Sequence, residues 1–384
     1  MAIFELITPP HIIFGKGSIE KLGLECVKFG KKALLVTGSS AMRKLKILDQ
    51  VTEDLERSGI KPFLFDEIKG EPDLEIVEEG RNLAKRHEVE MVIGLGGGSA
   101  LDAAKAIAGL FHEEGKCEEY QKERKIKKRG IPFIAIPTTS GTGTEATYNA
   151  VILNKKERVK KSLRDFSLMA KLAIVDPLLS RSVPQKVKTY TGIDALVHAI
   201  EGYISKEANS FTDPLALSAI SLIQANIREM VYSENNLFAY EQMSLGALKA
   251  GMVIANAKLG AIHGIAASLG AFLEIPHGLA CAVLLPKILK FNQDVCNLKF
   301  YHLLQALGEQ TKDLSLTEAF TNCFTFIEKL LLDLKIPFYL ERSHVTQDDI
   351  LSIANNCSAS INFNPKELKR EDIINIINSV LVKS

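Results

Sequence analysis

The pattern of apolar and polar positions along the chain changes character near residue 180. In the first half, short apolar runs rich in β-branched residues alternate with stretches in which apolar residues recur at helical spacing. The runs that predict strands are 33–37, 62–65, 91–95 and 133–136. The stretches that predict helices are 47–58, 73–86 and one that follows Gly96-Gly97-Gly98-Ser99 and continues through Ala108. Strands and helices that alternate in this way predict βαβ units and a mostly parallel sheet.

In the second half, helical spacing dominates and strand-like runs become rare. The clearest helical set is Leu215, Ala219, Leu222, Ile223 and Ile227. We therefore expect an α/β plus all-α architecture, with an α/β domain over residues 1–180 and a helical domain over residues 181–384.

Composition narrows the class of protein. The 384 residues suffice for two domains, and the formal net charge of +1 gives no field that would attract nucleic acid or an anionic membrane. The six cysteines are scattered without a CxxC pair, which is typical of a reducing compartment. No signal peptide and no apolar segment of membrane-spanning length is evident. These features predict a cytoplasmic enzyme with no nucleic-acid or membrane partner.

Two loops that follow predicted strands are rich in glycine and hydroxyl groups. In the first, Gly97 and Gly98 would let the backbone approach a phosphate, and Ser99 would cap the next helix and add a donor. The second loop, residues 137–145, lies at the carboxyl end of the next strand, where open α/β sheets bind ligands. Its candidate donors are Thr138, Thr139 and Thr142. Either loop alone could be a simple turn, but two such loops at one sheet edge favour a nucleotide.

Four potential metal ligands lie in apolar surroundings in the helical half. Asp194 and His198 are four residues apart and therefore share one face of a predicted buried helix. Alone, they could form a simple hydrogen-bonded pair. His263 and His277, each followed by glycine, complete a set of three imidazoles and one carboxylate. Such a set suits a first-row divalent metal.

Motifs along nearly the whole chain resemble those of the iron-containing, or group III, alcohol dehydrogenases. The strongest stretch is Thr191-Gly192-Ile193-Asp194-Ala195-Leu196 with His198-Ala199-Ile200-Glu201. In chain order, the others are Phe14-Gly15-Lys16-Gly17, Gly96-Gly97-Gly98-Ser99 with Asp102 and Lys105, Pro137-Thr138-Thr139, Gly143-Thr144-Glu145, Asp176-Pro177, His263-Gly264, Pro276-His277-Gly278 and Asn364-Pro365. Motifs in this order and spacing are highly specific.

The resemblance implies a Rossmann-like dinucleotide-binding domain followed by a helical metal-binding and substrate domain, as in the dehydroquinate synthase-like fold. It implies that the metal ligands and catalytic residues are Asp194, His198, His263 and His277, with Fe²⁺ as the metal, although these ligand types also permit Zn²⁺. The positions that it places against the cofactor are Gly97, Gly98, Ser99, Asp102, Thr138, Thr139, Thr142, Asn149 and Lys160. It also implies a homodimer.

The chemistry implied by the resemblance is hydride transfer. The metal would act as a Lewis acid on the oxygen of a small primary or secondary alcohol, or of its aldehyde or ketone, while NAD or NADP exchanges the hydride. Two alternatives remain open. One is another enzyme on this scaffold, either a glycerol dehydrogenase-like or other polyol dehydrogenase or a dehydroquinate synthase-like lyase. The other is a non-catalytic nucleotide-binding protein, which the four-ligand set disfavours because those groups are costly to bury without a metal.

The chain departs from the family pattern at three positions. Many members carry a histidine, a candidate proton relay, where this chain has Ala267. The relay must then use water, the ribose hydroxyls or another side chain. Glu71 precedes Pro72 where the family commonly has asparagine, and Ala170 replaces a usual proline.

The residues after the first long strand predict a preference for NADP over NAD. In NAD-preferring relatives, a carboxylate follows the strand-ending threonine, where it binds the ribose 2′-hydroxyl and repels a 2′-phosphate. Here Thr37 is followed by Gly38 and Ser39, so that repulsion is absent. The candidate phosphate-binding side chains nearby are Ser39, Ser40, Arg43, Lys44 and Lys46. The alternative is that these serines cap the next helix and the cations are solvated.

Overall fold

The computed structural model describes residues 3–38, 46–122, 124–157, 159–341 and 345–382. Its contacts divide the chain into two compact units, Thr8–Val183 and a second that joins Met1–Ile7 to Pro184–Ser384. The N-terminal residues are tied to the second unit by Asn256, whose side chain accepts from the backbone N–H of Ile7 at 2.7 Å and donates to its carbonyl at 2.9 Å.

The first unit is built on parallel strands. Its strands are β1 (Ile12–Phe14), β2 (Lys32–Gly38), β3 (Lys61–Ile68), β4 (Met91–Gly96), β5 (Phe133–Pro137), β6 (Asn149–Asn154), β7 (Val159–Arg164) and β8 (Leu172–Val175). Its α-helices are α1 (Leu22–Cys26), α2 (Ile47–Arg57), α3 (Leu74–His87), α4 (Gly98–Gly109) and α5 (Cys117–Gln121). Among the described residues, six strands form one sheet in the order β1-β8-β5-β4-β2-β3, in which all pairs are parallel, while β6 and β7 form an antiparallel hairpin.

Burial on both faces explains the strands at the centre of this sheet. Every residue of β4, β5 and β8 is buried, which is why these segments are unbroken apolar runs rather than alternating ones. The helices supply the covering faces. In α3, for example, Asp73 caps the first turn by accepting from the backbone N–H groups of Glu75 and Ile76, both at 2.9 Å. The predicted parallel sheet is confirmed.

The second unit is mostly helical. Its α-helices are α6 (Gln185–Ile204), α7 (Thr212–Tyr232), α8 (Leu237–Ala257), α9 (Ala261–Leu273), α10 (His277–Phe291), α11 (Asn297–Ala306), α12 (Leu316–Asp333), α13 (Gln347–Asn355) and α14 (Arg370–Val380). Two short strands, β9 (Leu340–Glu341) and β10 (Leu381–Val382), pair in parallel. Helix α6 packs against α7, α8 and α10, and α9 packs against α10, so these helices share one apolar core.

Within the described ranges, no single helix is long and apolar enough to cross a membrane. Helices α8 and α9 are long and apolar enough only when taken together, and they are bent by 105° at the break between them.

Candidate metal centre and cofactor loops

The first glycine-rich loop joins the carboxyl end of β4 to the amino end of α4. Gly96 has a φ of +156°, and a Cβ there would lie 2.8 Å from the Cβ of Ala100, so this turn requires glycine. The helix cap is Gly97, and the prediction that Ser99 caps α4 was wrong. Because β4 ends at Gly96 and α4 begins at Gly98, Ser99 already lies in the first helical turn.

The two predicted cofactor loops pack against each other. A Cβ at Gly97 would lie 3.4 Å from Cγ2 of Thr139, and one at Gly98 would lie 2.7 Å from Cγ2 of Thr142. The backbone N–H of Thr138 donates to the carbonyl of Gly96 at 2.9 Å. Across the described residues, the buried Thr139 Oγ1 has no hydrogen-bond partner. This free hydroxyl beside glycine backbone and the start of a helix is a combination that fits a phosphate.

Strand order places these loops next to Gly38. Strand β2 pairs with β3 on one edge and with β4 on the other, so the chain changes direction across the sheet between β2 and β4. Ligands of open α/β sheets bind outside the carboxyl ends of the strands at such a point. Gly38 ends β2, and a Cβ there would meet only the carbonyl of Ile68, at an ordinary 3.8 Å. Of the side chains that the sequence proposes for a 2′-phosphate, Ser39, Ser40, Arg43 and Lys44 lie outside the described residues.

Asp102 and Lys105 form the centre of a buried polar cluster behind the loops. Asp102 accepts from Thr144 Oγ1 at 2.8 Å and from the backbone N–H of Val151 at 3.0 Å. The Lys105 ammonium donates to the carbonyls of Thr144, Thr147 and Asn149 at 2.8, 3.1 and 2.8 Å, and to Thr147 Oγ1 at 2.9 Å. Burial raises the pKa of Asp102 and lowers that of Lys105 to about 8.

The two other predicted cofactor residues, Asn149 and Lys160, each contact a charged side chain of this chain. Asn149 begins β6 and is fixed through its carbonyl by Lys105. Lys160, on β7, forms an ion pair with Glu71, with 2.9 Å between Nζ and Oε1. The departure from the family pattern at Glu71 therefore gives Lys160 an anionic partner from its own chain.

Three helices of the second unit bring the predicted metal ligands together. Helix α6 carries Asp194 and His198 one turn apart, with 3.9 Å between Oδ2 and Nε2. Helix α9 supplies His263, whose Nε2 lies 3.4 Å from Asp194 Oδ1. Helix α10 begins at His277, whose Nε2 lies 4.0 Å from the same oxygen. All four predicted ligands thus converge on one point.

The convergence has the dimensions and the electrostatics of a cation site. Four ligands at roughly 2.1 Å from a tetrahedral metal are about 3.4 Å apart, close to the spacing here. Asp194 Oδ1 and His263 Nε2 are buried and lack hydrogen-bond partners in the described structure. Burial opposes ionisation of Asp194, but His198, His263 and His277 outweigh it and hold the pKa of this carboxyl well below its usual range. The residues present therefore fit a divalent metal.

Glu201 is a functional candidate that the sequence analysis did not single out. It is fully buried, and its Oε2 lies 2.7 Å from His263 Nδ1. The same carboxylate accepts from the backbone N–H groups of Ile262 and His263 at 2.6 and 3.3 Å. A Cβ at Gly260 would lie 2.9 Å from Glu201 Oε1, so a larger residue there would displace the carboxylate. The overlooked signal was periodicity, because Asp194, His198 and Glu201 follow each other at one face of α6.

Both halves of the chain match models of one protein family. Residues 9–177 match the model described as iron-containing alcohol dehydrogenase. Residues 188–381 match the C-terminal model of the Fe-containing alcohol dehydrogenase family. The chain is an iron-containing alcohol dehydrogenase family member.

Relatives of this family member act as alcohol or aldehyde oxidoreductases. It is 36% identical over 340 residues to long-chain-alcohol dehydrogenase 1 of Geobacillus thermodenitrificans (strain NG80-2), covering 88% of this chain and 86% of the relative. It is 34% identical to the NADPH-dependent butanol dehydrogenase of Clostridium saccharobutylicum, covering 97% and 96%. It is 30% identical to the NAD-dependent methanol dehydrogenase of Bacillus methanolicus, covering 97% and 98%.

A solved structure of 1,3-propanediol oxidoreductase has the same fold as this alcohol dehydrogenase. The TM-score is 0.94 at 33% identity, over 99% of this chain and 100% of the other. The predicted family, the α/β plus helical fold and the metal-dependent, NAD(P)-linked interconversion of alcohols and aldehydes or ketones are confirmed.

Proposed function

We propose that Asp194, His198, His263 and His277 hold one divalent cation at which this chain oxidises a small alcohol or reduces the corresponding carbonyl compound. The convergence of the four side chains, with two buried ligand atoms lacking other partners, carries the proposal. Iron follows from the family, although the donor set also accepts zinc. The cation supplies a Lewis acid that polarises the substrate oxygen, and the nicotinamide supplies the hydride acceptor or donor.

The chain's own residues position these groups. Gly97, Gly98 and Ser99, with Thr138, Thr139 and Thr142 beside them, are proposed to bind the cofactor's phosphates. Asp102, Asn149 and Lys160 are proposed as further cofactor contacts. Ala267 lies half-buried on α9 and has no proton to transfer. The side chain at position 267 therefore cannot relay the alcohol proton, and the relay would use water, a ribose hydroxyl of the bound cofactor or another side chain.

The decisive experiment is turnover by the metal-loaded protein. Full-length protein is stripped of metal, reloaded with iron(II) or zinc, and assayed with aliphatic alcohols, their aldehydes and a diol, with NADP and NAD. The diol belongs in the panel because a structural relative is a 1,3-propanediol oxidoreductase. We expect about one metal per chain and metal-dependent turnover of at least one pair. Stoichiometric metal without turnover of any substrate would contradict the proposed activity.

We further propose that NADP is preferred over NAD. Gly38 supports this, because no side chain at the end of β2 repels a 2′-phosphate. A Cβ fits at this position, so Gly38→Asp tests the point without a steric conflict. We expect the ratio of kcat/KM for NADPH to that for NADH to fall at least tenfold, about 1.4 kcal/mol. Gly38→Asn is the matched control, since it adds the same bulk without the charge. A wild type that favours NADH tenfold would contradict the preference.

The oligomeric state and the cellular location complete the proposal. The family resemblance suggests a homodimer, which light scattering at micromolar concentration would test, a monomer being the contrary result. All six cysteines are free thiols, which supports a cytoplasmic location.

A further inference from the structure

The two members of the Glu71–Lys160 ion pair differ in their exposure to water. The side chain of Lys160 is 10% exposed, whereas that of Glu71 is 45% exposed, and 2.9 Å separates Nζ from Oε1. Among the described residues, Glu71 is the one ion-pair partner of Lys160. An ammonium has three donors, so Lys160 keeps others for a ligand. Glu71 therefore cancels the charge of a cation that is largely withdrawn from water.

The backbone holds Glu71 beside Lys160. The backbone N–H of Leu153 on β6 donates to the carbonyl of Pro72 at 2.9 Å, and Asp73 forms an isolated parallel bridge with Leu153. Leu153 in turn lies directly opposite Lys160 in the β6–β7 hairpin. The pairing of Glu71 with Lys160 therefore follows from how the segment after β3 is fixed to the hairpin.

The pair lies at the edge of the sheet where the cofactor is proposed to bind. Glu71 follows the end of β3 by three residues, and the last residue of β3, Ile68, pairs with Gly38 at the end of β2. Burial raises the pKa of Asp102 on α4, and the negative charge of Glu71 adds to this rise. Glu71 is thus within electrostatic reach of the helix that follows the first glycine-rich loop.

We propose that Glu71 limits the affinity of this chain for its phosphate-bearing cofactor by neutralising Lys160. With the carboxylate present, the pair adds no net charge to the cofactor site. Without it, a weakly hydrated cation faces a polyanion, and little water lies between them to screen the attraction. The effect is larger for NADP than for NAD, because the 2′-phosphate adds about 1.5 to 2 negative charges. The inference rests on the proposed role of Lys160 as a cofactor contact and assigns Glu71 the control of its charge.

Titrations of the metal-loaded, full-length protein with NADPH and NADH test the proposal, with nicotinamide fluorescence as the measure of Kd. Glu71→Gln keeps an acceptor for Lys160 and removes the charge. At low ionic strength, we expect the Kd for NADPH to fall about 3–10-fold and that for NADH to fall less. The gain should nearly vanish at about 1 M salt, where the Debye length is about 3 Å. Lys160→Gln should raise both Kd values, and the double variant, whose pair is again neutral, should lie between the two single variants.

Glu157→Gln is the matched control, because it removes the same charge from the same hairpin. Glu157 pairs with Lys161 and Lys122, both at 3.1 Å, rather than with Lys160. Its Kd values should stay within about twofold of the wild type. If Glu71→Gln does not fold, Glu71→Asn makes the same charge change with the residue that is common in the family.

A Kd for NADPH that is unchanged or higher in Glu71→Gln, or a decrease that salt does not reduce, would overturn the proposal. The proposed function is tested separately. A wild type that binds both cofactors but turns over no alcohol or aldehyde would contradict that function alone. Turnover by the wild type, together with no effect of Glu71→Gln on Kd, would contradict this inference alone.

Discussion

Two buried aspartates, one in each unit, differ in whether their hydrogen bonds are satisfied within the chain. Asp102 on α4 has its hydrogen bonds satisfied within the chain, and Lys105 one turn later is bound to four acceptors from residues 144–149. Asp194 on α6 also has a partner one turn later, His198, yet its Oδ1 lacks a hydrogen bond within the described structure. In both clusters the second residue follows the aspartate by one helical turn. We call the first cluster closed, because its hydrogen bonds are satisfied within the chain, and the second cluster open, because Asp194 Oδ1 lacks one among the described residues.

The difference separates buried charges that are satisfied within the chain from buried charges that need a bound cation. A buried ion pair persists when every donor and acceptor is satisfied, as around Lys105. A carboxylate among imidazoles with ligand atoms left over is stable only if something binds them, and a divalent cation does so. The closed cluster should therefore respond to mutation through stability, and the open one through metal binding and turnover.

The largest effect is expected when the open cluster loses His263. We expect His263→Ala to reduce kcat/KM at least about 1,000-fold, because Lewis-acid catalysis is worth several kcal/mol. Metal content, measured by mass spectrometry of the desalted protein, should fall with activity, while the far-ultraviolet circular dichroism spectrum remains that of the wild type.

His302→Asn is the control for this change, because His302 is a histidine of the same unit that contacts Tyr203 rather than the metal ligands. It should retain metal and turnover. A His263→Ala protein with full metal content and activity would remove the distinction between the two clusters.

The closed cluster should respond through stability. Lys105→Met would leave a buried carboxylate and several backbone carbonyls without their cation, which typically costs about 3–5 kcal/mol. Calorimetry should show this as a lower unfolding temperature. Lys105→Met with Asp102→Asn should recover part of the loss, since both charges are then gone. Unchanged unfolding in the single variant would show that the cluster is not a structural one.

Glu145 adds a pH dependence to the closed cluster. Burial raises the pKa of this carboxyl to about 7, so the folded state holds the proton more tightly than the unfolded state does. That stabilisation is complete below about pH 4.5 and is lost as pH rises through about 7. Relative to wild type, Glu145→Gln should therefore gain up to about 3 kcal/mol of stability between pH 4.5 and 7.5.

Denaturant unfolding at several pH values measures this gain, with the exposed Glu56→Gln as control. Parallel profiles for wild type and Glu145→Gln would contradict the shift. At higher pH, Lys105 acts in the other direction: because burial lowers its pKa to about 8, the α/β unit should gain stability from about pH 8 to 10.5.

Local periodicity was enough to predict much of the fold and the candidate ligands. Strands β4 and β5 were evident as apolar runs, and Asp194 with His198 followed from the helical repeat. The β6–β7 hairpin was not predicted, although its first strand alternates between buried and half-buried residues. Residues 150–153 are an unbroken apolar run in the sequence, so no alternation of polar and apolar residues marked this strand as one of an antiparallel pair.

Contacts between helices could not be predicted from the local sequence pattern. His277 begins α10, but nothing in the chain order shows that α9 brings His263 to the same place. The helix cap of α4 likewise depended on where β4 ends, which placed it at Gly97 rather than Ser99. Such features depend on packing between distant segments, not on the local repeat.

The smallest effect is expected at Glu201. This residue tests the comparison most closely, because it has one contact typical of the closed cluster and one contact to a ligand of the open cluster. It closes the start of α9 by accepting from the backbone N–H of Ile262, and it holds the open set by accepting from His263 Nδ1. With the proton on Nδ1, Nε2 keeps its lone pair for a metal. Glutamine offers one acceptor and one donor at these two positions. If its amide NH₂ faces Ile262, two donors oppose each other. If it faces Nδ1, it favours the proton on Nε2.

Either orientation of Glu201→Gln should weaken the metal site without removing a ligand. We expect zinc affinity to fall by about 10–100-fold, or about 1.4–2.7 kcal/mol, as for other carboxylates that orient a ligating histidine. Competition with a chromophoric chelator measures the change, and thermal unfolding of the metal-free protein reports separately on the cap of α9. The exposed Glu207→Gln, just beyond α6, controls for the loss of one charge in this unit. If Glu201→Gln lowers only the metal-free stability and leaves zinc affinity intact, then Glu201 belongs with the closed cluster and the tautomer of His263 is set by other groups.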